Sequence, residues 1–380
     1  MDFFFALSDY NICARLRPMK PSQLDFAELL PICGTADYAQ SPLYTEDIAS
    51  IAASDDIEAL FGKRVLVTGA AGLIGTVLVD AMMEANRHGA GIRVIAADRD
   101  MVRSEIRFSR HSGSPDLVLL GMNVRNQLPD DLPFDICIAA ASNTSPLDYA
   151  AHPVNTALTN LLGAQNALEA AKKCGGRVLF CSSVEVYGNA TGEEAFREED
   201  TGRLNLSNAR ASYPESKRAA EALCQSYHAE FGVRTNVARI CRVFGPTVIP
   251  GDTKAPSQFI ANAVAGRDIV LKSDGTQFYS WLHVADCVSA LLAILAHGEN
   301  GTAYNVADAS CDAPLRDFAQ FAADAAGTHL VFDLPTEAEK RGYSKTTRAV
   351  MDASRLRGLG WTPSLSLESG IQNTVAVLKG

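Results

Sequence analysis

From Lys63 onward the chain alternates short, wholly apolar runs with longer segments in which apolar residues recur at helical spacing. KRVLVTG predicts a buried strand ended by glycine, and TVLVDAMMEANRHG a helix with its own glycine stop. RVIAAD, DLVLLG and FDICIAAAS predict three further strands. NTALTNLLGAQNALEAAKKCG then reads as a long helix, RVLFCSSV as a strand, YPESKRAAEALCQSYHAEFG as a helix and RTNVARICRVFGP as the strand after it. Strands alternating with helices of this length predict an α/β fold built on a doubly wound parallel sheet.

Past Pro246 the alternation weakens, with prolines at 246, 250 and 256. Helices are predicted at SQFIANAVAG, VADCVSALLAILAHG and PLRDFAQFAADAAG, and strands at DIVLK and TAYNVAD. A chain of 380 residues exceeds what one core usually serves. The expected division is therefore a large domain over residues 61–245 and a smaller α/β substrate domain over 246–380, with 302–308 a candidate to return to the main sheet. Residues 1–60, with four prolines and the acidic stretch TEDIASIAASDDIEALF, read as an N-terminal extension packed on the main domain or on a neighbouring subunit.

Bulk properties narrow the function. A net charge of −10 argues against nucleic acid or an anionic membrane as the main partner, but not against a phosphorylated ligand held locally. No apolar run reaches the roughly 18 residues of a membrane span, and MDFFFALSDYN lacks the basic start of a signal peptide. The nine cysteines are scattered singly, as small core residues of a reducing compartment. A cytoplasmic protein is expected. His88, His111, His228 and His297 fall near helix ends or loops and read as solvent-facing, and His283 as packed, so no metal is expected.

The first chemical signal is Gly69-Ala-Ala-Gly72-Leu73-Ile74-Gly75, directly after a strand and opening a helix. Glycines allow the tight turn and let backbone N–H groups and the helix N-terminus approach a pyrophosphate. Asp98 ends the next strand, where a carboxylate accepts from ribose hydroxyls and repels a 2′-phosphate; this favours NAD over NADP, with Arg99 pulling the other way. The strand, turn, helix and acid together predict a Rossmann dinucleotide-binding domain.

The second signal is Tyr213-Pro-Glu-Ser-Lys217. Four residues apart on a helix, phenol and ammonium share one face, and a nearby cation favours the phenolate needed by a general base. Ser183, ending the preceding strand, is placed to hydrogen-bond the same substrate hydroxyl. Glu185, two residues on, falls on the same side if the chain stays extended.

GAAGLIG, the AAAS strand end, CSSVEVYG, YPESK, RICRVFGP, HVAD and LGWTPSLSLESGI together resemble the extended short-chain dehydrogenase/reductases, the NAD-dependent sugar-nucleotide epimerase/dehydratase group, over about residues 62–375. The resemblance implies Tyr213 as base, Lys217 as its partner and ribose anchor, and Ser183 as the hydroxyl that positions the sugar. It sets Asn123 and Val124 near adenine, and Ala139, Ala140, Ala141 and Asn160 along the cofactor groove. On the substrate side it implies Asn143, Ser145, Arg242, Tyr279 and Arg348. The dehydratases carry an Asp before the Glu; here Val184 stands there and cannot protonate a leaving hydroxyl. Glu185 without that acid, together with SPLDYAAHPVNT, is most similar to the UDP-glucuronate decarboxylases. Two positions depart from the family pattern: Arg242 replaces the usual Asn, and Tyr279 the usual Arg, as though a diphosphate or a sugar carboxylate were held from the opposite wall.

The implied reaction begins with Tyr213 taking the proton of the sugar C4 hydroxyl as hydride leaves for NAD, giving a 4-keto sugar. Loss of a C5 carboxylate, elimination at C6, or return of hydride to the other face then gives a pentose, a dehydrated sugar or a C4 epimer. A non-catalytic dinucleotide-binding protein would have lost Tyr213 or Lys217; a simple NADP-dependent carbonyl reductase fits neither Asp98 nor the second domain. The two long helices carry apolar residues beyond one stripe, which predicts a homodimer through them.

Overall fold

The computed structural model describes residues 36–130, 132–188, 192, 194–333 and 348–380. The main-sheet strands begin with β1 (Arg64–Thr68), β2 (Arg93–Asp98), β3 (Leu117–Gly121), β4 (Ile136–Ala139), β5 (Arg177–Ser183) and β6 (Arg234–Ile240). Four short strands follow outside that sheet: β7 (Arg242–Phe244), β8 (Ile269–Leu271), β9 (Phe278–Tyr279) and β10 (Trp281–His283). The next strand, β11 (Thr302–Val306), pairs in parallel with β6 from Thr302 opposite Asn236 to Val306 opposite Ile240. The result is a seven-stranded parallel sheet in the order β11-β6-β5-β4-β1-β2-β3. Strand order reverses between β1 and β4, and the crevice beyond their carboxyl ends is where such sheets bind ligands.

Apolar residues fill both faces of the sheet. On one side, α5 (Pro153–Cys174) packs on α6 (Ser212–Phe231), and Phe134, Cys137, Ala164, Leu168, Phe180 and Cys224 bury against each other. On the other side lie α2 (Leu73–Arg87) and α8 (Val284–His297), whose Val77, Leu78, Leu291 and Ile294 meet Val65 and Val67 of β1. Both long helices of the first face end in a left-handed glycine, Gly175 and Gly232, as the sequence stops suggest. The shorter helices are α1 (Pro42–Ala52), α3 (Met101–Arg107), α4 (Pro146–Ala151), α7 (Ala255–Val264), α9 (Leu315–Ala326), α10 (Ser354–Arg357) and α11 (Leu367–Lys379). A three-stranded sheet joins β9 to β12 (Ala313–Pro314) and β14 (Arg348–Ala349), and β13 (Leu330–Phe332) pairs with β8.

Three local expectations are corrected. RTNVARICRVFGP is two strands, not one. The chain breaks at Cys241, and β7 leaves the main sheet to pair with β10, Arg242 opposite Trp281. The stretch after Ser183 does not stay extended: Val184–Tyr187 is a 3-10 turn capped by the Ser183 hydroxyl, which accepts from the Glu185 N–H at 3.3 Å. TEDIASIAASDDIEALF is α1 followed by a separate 3-10 turn, Asp55–Leu60, broken where Ser54 and two aspartates favour a cap.

The described part of the extension is built into the body. Tyr44, 1 % exposed, donates its hydroxyl to Asp80 of α2 at 2.5 Å. Asp80 also meets Arg110 at 2.5 Å and His111 at 2.9 Å, so His111 is buried rather than solvent-facing. A carboxylate without water needs such partners, and these hold it ionised.

Candidate active site

The glycine turn follows β1 and opens α2. Gly69 has φ +70°, and a Cβ there would stand 2.8 Å from the Cα of Ala141, beyond the end of β4. A Cβ on Gly75 would meet the Ala70 Cα at 2.7 Å. The turn therefore closes only with glycine, and it leaves the N–H groups of the first turn of α2 without side chains over them. Leu73 begins the helix, and its carbonyl accepts from Thr247 Oγ1 at 2.7 Å. Arg107, fully buried, donates to Thr76 Oγ1 and to the carbonyls of Thr247 and Val248, tying the start of α2 to the segment after β7. The glycine cradle and the uncapped helix N-terminus fit a dinucleotide pyrophosphate.

Asp98 ends β2 and is 8 % exposed. Its carboxylate accepts from the N–H groups of Ala71 at 3.1 Å and Asp100 at 3.0 Å, fixing it against the glycine turn. Arg99 points outward and is exposed; the arginine that meets Asp98 is Arg103, at 3.6 Å. Sequence reading missed Arg103 because helix α3, which turns it back on the strand end, is only seven residues long. Asn123 caps the Arg125 N–H, and Val124 lies against Gly163 of α5. Ala139 ends β4, with Ala140 and Ala141 directly beyond it beside Gly69. Asn160, expected along the groove, is buried behind it: it accepts from Ser142 Oγ at 2.7 Å and donates to Ser216 Oγ at 2.9 Å.

Tyr213 and Lys217 lie in the first turns of α6, both buried. The hydroxyls of Ser183 and Ser142 lie beside the Tyr213 phenol and act to lower its pKa. Burial, and then the Glu185 carboxylate, push its pKa up, the reverse of the direction expected from the helical spacing. Lys217 does not face the phenol. It donates to the Cys181 carbonyl at 2.6 Å, with the Phe180 ring 4.7 Å away, and burial lowers its pKa to about 8. One turn on, Glu221 accepts from Ser182 and takes a bidentate ion pair from Arg239 at 2.7–3.1 Å, which fixes the floor of the site.

The 3-10 turn carries Glu185 toward Tyr213 by a tighter path than the extended one expected. Burial raises the Glu185 pKa, while Arg242, Arg210 and a hydrogen bond from Tyr149 work against it. Tyr149 of α4 was not singled out in the sequence. Its ring stacks on Tyr213, centroids 5.2 Å apart, and Arg210 donates to its oxygen at 3.4 Å. The signal was its place in SPLDYAAHPVNT, three residues after the proline that starts α4. Val184 is buried, so no acid stands beside Glu185 at that position.

Of the residues expected on the substrate side, Arg242 and Tyr279 come together, the guanidinium carbon 3.6 Å from the ring centre. Arg348 lies beside them on β14, paired with Phe278 and over its ring at 5.0 Å. Asn143 and Ser145 tether the loop before α4, to Thr156 at 3.3 Å and Thr253 at 2.9 Å. Among the described residues no group of His, Cys, Asp and Glu is arranged to hold a metal, and no helix is long and apolar enough to cross a membrane.

Comparison with known proteins bears on this arrangement. Residues 65–307 match the model of the NAD dependent epimerase/dehydratase family. UDP-glucuronic acid decarboxylase 6 of Arabidopsis thaliana is 34% identical over 238 residues, 63% of this chain and 67% of that one. UDP-glucuronic acid decarboxylase 1 of Xenopus tropicalis is 30% identical over 313 residues, 82% of this chain and 71% of that one. The structure of UDP-glucuronic acid 4-epimerase from Bacillus cereus, in complex with UDP-glucuronic acid and NAD, aligns with a TM-score of 0.72 at 21% identity, covering 83% of this chain and 99% of that one. DesIV, a dTDP-glucose 4,6-dehydratase from Streptomyces venezuelae with NAD bound, aligns at 0.70 and 23% identity, over 83% and 96% of the two chains. At these identities the structures speak for the fold. The chain belongs to the NAD dependent epimerase/dehydratase family, and is an enzyme with NAD as its cofactor.

Proposed function

We propose that the protein oxidises the C4 hydroxyl of a nucleotide-linked sugar, and that its overall reaction is of the UDP-glucuronic acid decarboxylase kind. The observation that carries this is that the buried Glu185 carboxylate lies close enough to act on the Tyr213 phenol, its own N–H bonded to the Ser183 hydroxyl, while a buried valine occupies position 184. A carboxylate is thus available at the sugar ring, without the adjoining acid that elimination of a hydroxyl requires. Relatives 30–34% identical carry the same activity in their names. The C4 epimerase reading is the rival, with the dehydratase reading behind it.

In this reading the turn Gly69, Gly72, Leu73, Ile74 and Gly75 holds the pyrophosphate, and Asp98 takes the adenine ribose with Arg99 and Arg103 beside it. Asn123 and Val124 lie toward adenine, and Ala139, Ala140 and Ala141 line the groove with Asn160 supporting them. When bound, NAD supplies the hydride acceptor and a positively charged ring. Tyr213 takes the C4 hydroxyl proton, Ser183 holds that hydroxyl, and Lys217 anchors the nicotinamide ribose. Glu185 handles the proton at C5. Asn143, Ser145, Arg242, Tyr279 and Arg348 face the sugar and its nucleotide.

The test is turnover on a panel of UDP-, dTDP-, GDP- and CDP-sugars by the unaltered protein and by Tyr213→Phe. The variant is expected to fold and bind NAD yet lose about 10³-fold or more in turnover. Retention of more than about a tenth would move the base elsewhere. We also propose a cytoplasmic homodimer joined through α5 and α6; exposed Val154 and Phe231 on these helices support it. A monomer mass by light scattering at micromolar concentration would count against the dimer.

A further inference from the structure

The surroundings of Arg242 are unusual for an arginine. It opens β7, the short strand that leaves the main sheet, and is half-buried there. Its guanidinium lies on the Tyr279 ring at 3.6 Å. Stacking of this kind fixes the plane of the cation and leaves its N–H edges free to meet an acceptor in that plane. Nη1 is buried and has no hydrogen-bond partner among the described residues. Buried guanidinium N–H groups are normally paired, so one left without a partner is a place prepared for an acceptor.

The acceptor belongs at the sugar end of the cleft. The charge of Arg242 acts on Glu185 and Tyr149, both of which act on the Tyr213 phenol, and on Tyr279. Glu185 brings a negative charge to the same place. A second carboxylate could enter only with a cation between the two, because like charges at short range repel.

We propose that Arg242, held over the Tyr279 ring, is the receptor for a carboxylate on the substrate's sugar ring. It makes the site selective for a nucleotide-linked uronic acid over the corresponding neutral hexose. A planar carboxylate matches the in-plane N–H pair of a stacked guanidinium, which a hydroxymethyl group cannot do. This rests on the nucleotide-sugar reading above and adds to it which group on the sugar is recognised, and by what. Arg242 and Tyr279 then act as a pair: the ring supplies the platform and the arginine the charge.

The test uses the full chain loaded with NAD and two probes that differ only at C6, UDP-glucuronic acid and UDP-glucose, with affinities measured by calorimetry. The unaltered protein is expected to prefer UDP-glucuronic acid. Arg242→Gln should weaken that ligand by about 10- to 100-fold and leave UDP-glucose within about twofold, abolishing the preference. Arg242→Lys, which keeps the charge and loses the fork, should recover only part of it, and it serves as the readout if the glutamine variant fails to fold. Equal weakening of both ligands would assign Arg242 to the diphosphate and overturn the proposal. Unchanged affinity for both would make the arginine structural and overturn it too. NAD-dependent turnover of UDP-glucose with no preference for the uronic acid would overturn this proposal alone, whereas binding of neither probe by the unaltered protein would overturn the functional reading on which it rests.

Discussion

The Tyr149 ring lies almost flat on the ring of Tyr213, 17° from parallel, while its hydroxyl reaches past to the Glu185 carboxylate. One side chain thus touches both groups assigned to proton transfer. The stack restricts the phenol of Tyr213 to one plane. The hydrogen bond favours the ionised form of Glu185, whose pKa burial pushes up.

These two roles separate by substitution. Tyr149→Phe keeps the stack and removes the hydrogen bond. Glu185 then loses one of the contacts that lower its pKa, so the limb of the pH–kcat profile that Glu185 sets should move to higher pH. Tyr149→Ala should show the same displacement and, in addition, a loss of kcat of about tenfold or more as Tyr213 loses its orientation. A pH–kcat profile with neither limb moved in Tyr149→Phe would show that Glu185 does not limit the reaction.

Cofactor choice depends on Asp98. Its carboxylate is fixed by the N–H groups of Ala71 and Asp100, so it presents one geometry to a ribose and repels a 2′-phosphate. The unaltered protein should bind NAD at least tenfold more tightly than NADP by fluorescence titration. Asp98→Ala should remove most of that difference, because Arg103 and Arg99 would remain without the acid. Equal affinity of the unaltered protein for both cofactors would sink the assignment.

The glycine turn, the strand end at Asp98 and the helix that carries Tyr213 and Lys217 were legible in the sequence because each is a local pattern: a turn that needs glycine, a strand end, positions at helical spacing. The parallel sheet was legible for the same reason, strands and helices each announcing their own period. What was not legible depends on contacts distant in sequence. The pKa direction of Tyr213 reverses because burial and Glu185 outweigh the spacing to Lys217, whose ammonium is drawn away to the Cys181 carbonyl. His111 looked like a loop residue until Asp80, thirty-one positions away, was seen to bind it. Arg242 and Tyr279 were read as exchanging a cation between opposite walls, and only the pairing of β7 with β10 shows the two in contact.

Asp80 ties the N-terminal extension to the pH dependence of stability. Burial pushes its pKa up, but His111 and Arg110 outweigh burial and hold it below the ordinary value of 3.8. A carboxylate with a depressed folded pKa adds stability that is fully present above its unfolded value and is lost as pH falls through the folded one. Thermal stability should therefore drop below about pH 4, and Asp80→Asn should flatten that part of the curve while lowering stability at pH 7. Tyr44→Phe, which removes one buried hydrogen bond to the same carboxylate, should cost about 1–3 kcal/mol at pH 7. An acid limb of the stability curve identical in Asp80→Asn and the unaltered protein would mean that other carboxylates govern it.

Glu185 separates the reactions that share a 4-keto intermediate. Decarboxylation needs a proton delivered to C5 after carbon dioxide leaves, and dehydration needs one removed there. A simple C4 epimerase moves no proton at C5. The 3-10 turn Val184–Tyr187 and the hydrogen bond from Tyr149 hold the Glu185 carboxyl beside Tyr213, within the field of Arg242 and Arg210. Glu185→Gln keeps the shape and removes the titrating oxygen. Turnover of the variant should fall about 10²-fold or more, while the bound sugar still reduces NAD, seen as absorbance of the reduced cofactor in a stopped-flow trace. Product formed by the unaltered protein in deuterium oxide should carry deuterium at C5. If instead Glu185→Gln produces a C4 epimer at the full rate, with no label at C5, the carboxylate is a packing residue paired with its arginines, the decarboxylase reading falls, and the epimerase reading takes its place.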